Sequence, residues 1–94
     1  MKPYTDIETG PDYVIREFTV DIDPIELLWH RDNEDRTVEV VECGQGWKLQ
    51  LDDELPQNLE PKTSIFILRH QWHRVIKGKG KLTVKIIKHE TDTI

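Results

Sequence analysis

The sequence predicts an all-β chain folded as a single domain, a small barrel or sandwich of two antiparallel sheets. Hydrophobic residues recur almost everywhere with period two rather than 3.6. The alternating runs are short and are broken at regular intervals by turn residues, among them Gly44-Gln45-Gly46 and Gly78-Lys79-Gly80. With 94 residues, 36% of them hydrophobic, the chain can fill one modest core and not two. Only the segment that starts at Asp23-Pro24 carries a helix-start signal, and it is too short to prevail over its extended neighbours.

Residues 1–12 read as a turn-rich leader containing Gly10 and Pro11, and residues 13–88 as the barrel. Val14, Arg16, Phe18 and Val20 alternate with Ile15, Glu17 and Thr19, which predicts the first strand. Pro24 separates it from a second strand over 25–31, and Asp32, Asn33, Glu34 and Asp35 form the turn of a hairpin into the strand 36–42. A hairpin turn at Gly44–Gly46 leads to a strand in which Trp47, Leu49 and Leu51 share one face and Lys48 and Gln50 the other. Residues 52–62, polar and holding two prolines, connect the sheets, with Leu55 and Leu59 pinning them down. Strands follow over 64–68, 72–77 and 81–88, the last two joined by a hairpin at Gly78–Gly80, and the tail 89–94 frays. The expected core is Val40, Trp47, Leu49, Ile65, Ile67, Val75, Val84 and Ile86. The chain shows no internal repeat, linker or low-complexity tract.

The net charge of −5 conceals a gradient. Residues 1–68 carry 6 Lys and Arg against 16 Asp and Glu, and residues 69–94 carry 7 against 2. The acidic majority repels phosphate, so nucleic acid is not an expected partner. Lys77, Lys79 and Lys81 are expected to solvate a hairpin tip, and Lys85 and Lys88 to flank an edge strand and discourage aggregation. No apolar run is long enough to cross a bilayer and the N-terminus lacks the apolar stretch of a signal peptide, so a cytoplasmic protein with no membrane partner is expected. The single Cys43 can form neither an internal disulfide nor a thiolate cluster. It has no partner histidine in the sequence, and no G-x-S-x-G motif appears, which argues against covalent catalysis. The two Gly-x-Gly turns precede no helix and are not phosphate cradles.

The residues suited to chemistry are His30, Asp32 and His73. His30 and Asp32 lie two apart at a strand end and share a face. With His73 on a later strand they make two histidines and a carboxylate, a set that holds one divalent ion, Fe, Mn, Ni or Zn, and leaves positions open. The alternative is that the two histidines merely line a barrel mouth. Around these residues the sequence resembles the cupin superfamily, whose first motif reads G-x5-H-x-H-x3-4-E-x6-G. His30 takes the first histidine and Asp32 the second, Thr37 falls at the glutamate, Gly44 is the closing glycine and Pro24 stands at the opening one. The second motif, G-x5-P-x-G-x2-H-x3-N, overlays Lys62, Leu68, His70, His73 and Lys77, and His73 alone keeps its identity.

The resemblance spans residues 14 to 88 and implies a jelly-roll-like, double-stranded β-helix barrel with ligation by His30, Asp32 and His73. Thr37 is a weak ligand, and Glu39, two residues on, is the substitute. Thr37, Glu39, Lys48 and Gln50 are the candidates to line the cavity, where Arg36 and Lys48 would meet an anionic ligand. Strict alternation with Val38 and Val40 turns Thr37 and Glu39 outward unless a bulge intervenes. His70 belongs to a turn, and His89 to the solvated end. Trp29, Trp47 and Trp72 are core or dimer contacts, with a sugar-stacking platform as the alternative. The expected function is small-molecule binding in the cavity by a cupin with a degenerate or three-ligand metal site, the alternative being a metal-dependent enzyme of dioxygenase or isomerase type. A homodimer is expected, by extension of the sheet along the 13–20 strand or through Trp29 or Trp72.

Overall fold

The computed structural model describes residues 4–23 and 27–89. It holds eight strands: β1 (Thr5–Thr9), β2 (Tyr13–Phe18), β3 (Asp35–Cys43), β4 (Lys48–Leu51), β5 (Gln57–Asn58), β6 (Ser64–Ile67), β7 (His73–Ile76) and β8 (Leu82–His89). No helix occurs among the described residues. The strands form two antiparallel sheets, one in the order β1-β2-β8-β3-β6 and the other β5-β4-β7. The expected all-β, two-sheet architecture is the one observed.

Period-two alternation places the core between the sheets. Val14 and Phe18 of β2, Val38 and Val40 of β3, Leu49 and Leu51 of β4, Ile65 and Ile67 of β6, and Leu82, Val84 and Ile86 of β8 form one buried cluster. Trp47 is completely buried at its centre, where its indole N–H donates to the Lys79 carbonyl at 3.2 Å. Seven of the eight expected core residues are buried, and Val75 is partly buried against the same cluster.

Several expected connections differ. The leader contains a strand, β1, whose polar residues pair with β2 and stay exposed throughout. The two Gly-x-Gly segments are not hairpin tips, because β3 and β4, and likewise β7 and β8, lie in different sheets. Each is a corner between sheets, and the corners are packed together: Gly44 N–H donates to Lys81 O at 3.0 Å and Lys79 N–H to Gln45 O at 2.7 Å. A Cβ on Gly44 would sit 1.8 Å from Lys79 O, and one on Gly78 2.3 Å from Trp47 N, so the sequence needs glycine at both. Of the three lysines Lys79 and Lys81 are exposed as expected, and Lys77 is not. Lys77 is half-buried and donates to Ile22 O, and Lys81 lies 3.6 Å from Glu17 and 3.9 Å from Glu42.

β8 is the central strand of the larger sheet, paired on both sides, so Lys85 and Lys88 guard no edge. Lys85 stands over the Tyr13 ring instead, 4.9 Å from its centroid. Of the predicted second strand, Pro24, Ile25 and Glu26 lie outside the described residues, and only His30 pairs, by an isolated bridge to His73. The tail 90–94 lies outside the described residues too, while His89 closes β8.

Candidate metal centre

The site is built on that one bridge. His30 N–H donates to His73 O and His73 N–H to His30 O, both at 2.9 Å, so the two residues stand directly opposite each other in an antiparallel pair. Opposite residues project to the same side, which brings the rings to 4.1 Å between centroids in an edge arrangement. The same alternation sends the flanking side chains the other way. Trp29, His30 and Arg31 are repeated as Trp72, His73 and Arg74. Antiparallel pairing about the histidines puts Arg74 over the Trp29 ring at 4.8 Å and Arg31 over the Trp72 ring at 5.1 Å. This three-residue repeat is an internal repeat that the sequence reading missed, and its recurrence was the available signal.

Asp32 completes the group. Its backbone is tied by His70 N–H, which donates to Asp32 O at 2.7 Å. His70 holds the left-handed backbone at φ 64°, as does Lys62 at 74°. These two are the positions at which the second motif has glycine, so the turns persist although the residues have changed. The His70 side chain stays out of the site, and His89 is remote, with Nε2 2.7 Å from the Thr37 hydroxyl.

One donor atom from each of His30, Asp32 and His73 lies within 4.8 Å of the others. Donors around a four-coordinate ion with bonds of ~2.1 Å stand about 3.4 Å apart, so small side-chain rotations close the group on an ion. His73 is buried and its Nδ1 lies 2.8 Å from Gln71 O; His30 is exposed and its Nδ1 lies 3.4 Å from Leu28 O. When Nδ1 carries the proton and donates to the carbonyl two residues earlier, Nε2 is left free to ligate.

Asp32 Oδ2 is 3.3 Å from His73 Nε2 but has no hydrogen bond, and it is buried. A buried carboxylate oxygen without a donor, beside two imidazoles, is an environment a cation satisfies. Burial works to raise the Asp32 carboxyl, but the His73 ring and the Arg36 guanidinium outweigh it and hold the group below its ordinary value. Partial desolvation of the exposed His30 ring and the neighbouring His73 push His30 below its ordinary value against the pull of Asp32, which favours the neutral form.

His30, His73, Arg16 and Arg36 share with apolar side chains the lining of a cavity of about 50 Å³ that opens at the exposed His30. At ~30 Å³ per water that is space for one or two. Thr37, Glu39, Lys48 and Gln50 do not line it, which corrects the expectation for all four. Val38 and Val40 take the inner face of β3 and Leu49 and Leu51 that of β4, and alternation turns the other residues outward. β3 does contain an irregularity, but it falls between Val40 and Glu42, too late to turn Thr37 or Glu39 inward. Gln50 accepts from Arg74 Nε at 2.9 Å on the outer face.

A wider surface groove of about 390 Å³ runs past Cys43, Gly44–Trp47 and Asn58–Pro61 and shares only Leu59 with the cavity. Burial and the charge of Glu60 push the Cys43 thiol up, and its single S–H faces the Gly44 and Leu59 carbonyls, both of which favour the protonated thiol.

No protein-family model matches the chain, and no curated protein does. Solved structures do. A cupin-2 domain containing protein from Shewanella frigidimarina NCIMB 400 aligns over 93% of this chain and 79% of its own, at TM-score 0.62 and 19% identity. KdgF from Halomonas sp. aligns over 94% and 80%, at TM-score 0.64 and 17% identity. Fe(II) HppE aligns over 92% of this chain and 48% of its own, at TM-score 0.64 and 17% identity. The chain has the cupin fold.

Proposed function

We propose that this cupin-fold chain binds one divalent metal ion through His30, Asp32 and His73 and uses it to hold a small molecule. The observation that carries the reading is the buried, donor-less Asp32 Oδ2 set against two imidazoles that the bridge forces together. Three protein ligands leave coordination positions open, and the ion would supply Lewis acidity there. The chain's own residues fix the geometry. The backbone bridge sets the distance between the rings, the Gln71 carbonyl orients His73, and Arg36 steadies the Asp32 carboxylate at 3.3 Å.

A cavity of about 50 Å³ is far below the ~300–1,000 Å³ of a typical ligand pocket. Little more than the metal-bound end of a ligand fits inside, which favours binding at the ion over engulfment in the barrel. A metal-dependent enzyme of dioxygenase or isomerase type is the second reading, favoured by the similarity to an iron(II) protein.

Metal analysis of protein purified without chelator or affinity tag, followed by titration with Fe, Mn, Ni and Zn, tests the first reading. His30→Ala, Asp32→Asn and His73→Ala should each weaken binding by at least ~10-fold, the lower end of what even outer-shell changes cost. His89→Ala should leave it intact. Failure of every ion to bind better than millimolar removes the metal.

A further inference from the structure

Asp32 Oδ2 has a counterpart of opposite polarity. Alternation along β3 puts Arg36 on the inner face with Val38 and Val40, and its side chain lines the cavity beside both histidines. Its Nη2 lies 3.3 Å from Asp32 Oδ1 and 3.1 Å from Glu34 Oε1, which anchors the guanidinium. Its Nε is buried and has no acceptor. Protein groups use one edge of the fork and leave a desolvated N–H at another, a state that costs free energy until an acceptor arrives.

We propose that Arg36 recognises an anion at this site and that the ligand is a small monocarboxylate, held between the metal position and Arg36 Nε. This rests on the metal reading above. The ion satisfies Asp32 Oδ2, and a carboxylate oxygen satisfies Arg36 Nε; ion and ligand together remove both defects. Charge selects the class. With a divalent ion in place, Asp32, Glu34 and Arg36 leave the group with one net positive charge, which a monoanion neutralises. The other arginine on the lining, Arg16, is already engaged by Asp6, with Nε 2.8 Å from Oδ1, and adds no free charge. Size selects the member. About 50 Å³ admits a carboxylate with little attached, and anything larger than that end stays outside the opening. Arginine's planar fork suits an oxyanion better than a lysine ammonium does.

The test is an NMR titration of formate and acetate into zinc-loaded and metal-free protein, following the backbone amide resonances around the site in every protein and the Arg36 Nε–H resonance in the wild type, with Arg36→Met and Arg36→Lys alongside. Acetate should move that resonance in the zinc-loaded protein. Its affinity, measured with zinc added to saturation in each variant because Arg36 also steadies Asp32, should fall at least 10-fold in Arg36→Met and to an intermediate value in Arg36→Lys. Should Arg36→Met fail to fold, Arg36→Lys carries the comparison. Zinc binding with no acetate binding, or with equal acetate binding in both variants, overturns the inference and leaves the metal reading standing. If zinc itself does not bind, the metal reading is what has failed. Acetate titration of the metal-free protein then decides Arg36: a shift lost in Arg36→Met upholds it, and no shift overturns it.

Discussion

His30 and His73 sit in identical tripeptides yet hold different places. His73 is 4% exposed and fastened by a 2.8 Å contact to Gln71 O, whereas His30 is exposed at the rim with a looser contact of 3.4 Å. His73 is the fixed ligand and His30 the one with freedom to close on an ion. Without metal, the site makes the fold sensitive to acid. Asp32 has a folded pKa below its unfolded value of ~3.9, so its stabilising effect is present above that value and is lost as pH falls through the folded one. His30 is also held below its unfolded value of ~6.5, so the unfolded chain takes up that proton first and stability declines as pH drops below ~6.5. The two effects have the same sign. Thermal unfolding of metal-free protein from pH 8 to pH 2 should therefore show a melting temperature that falls in two stages, and His30→Gln should remove the upper stage. A melting temperature independent of pH over that range would contradict the assignment.

At the level of elements, the paired glycine corners decide how the strands are distributed. Each corner carries the chain from one sheet to the other, and neither has room for a side chain because backbone lies against backbone. Gly78→Ala sets a methyl 2.3 Å from Trp47 N and 2.4 Å from Gln45 O, atoms that cannot rotate away. Overpacking of this kind costs about 1–3 kcal/mol, and Gly78→Ala should reach the upper end of that range in urea unfolding. At Gly10 the methyl would meet only the Tyr13 ring, at 2.0 Å, and a side chain on an exposed hairpin can move. Gly10→Ala should accordingly cost clearly less. Equal losses would mean that the corners are not the rigid points of the fold.

For the whole molecule, sheet order determines which surfaces remain to be covered. β2 is paired on both sides, so the 13–20 strand offers no free edge for dimerisation. The free edges of the larger sheet are β1, exposed and carrying two acidic residues, and β6, which presents Phe66 at 53% exposure and leads into Leu68 at 57%. Charged edges resist pairing and apolar edges invite it. We propose a homodimer formed along β6. Sedimentation at micromolar concentration should give about twice the 11.1 kDa of one chain, and Phe66→Glu should return it to one. A single-chain mass for the wild type overturns this. Among the described residues no helix is long and apolar enough to cross a membrane.

The all-β class, the inward faces of β2, β3, β4, β6 and β8, and the pairing of His30 with Asp32 on one face follow from period-two alternation, a local property that a sequence displays residue by residue. Motif spacing carried further than residue identity did. Lys62 and His70 keep the left-handed turns of the motif glycines, because a turn depends on where the chain must reverse and a non-glycine can adopt that backbone at a cost. Sheet membership was not legible in the same way. A glycine turn between two alternating runs reads alike whether the runs pair or part, so the corners passed for hairpins and β8 for an edge. Only long-range packing assigns a strand its neighbours. The site follows the same division. The sequence supplied His30, Asp32 and His73, but 43 residues separate the histidines. Alternation already offered the outward faces of Thr37 and Glu39, and Arg36 was already a candidate for the cavity. Tertiary structure alone placed His30 opposite His73 and put the irregularity of β3 too late to turn Thr37 or Glu39 inward, because a side chain's face is set by the register of its own strand and its company by the strands packed across the core.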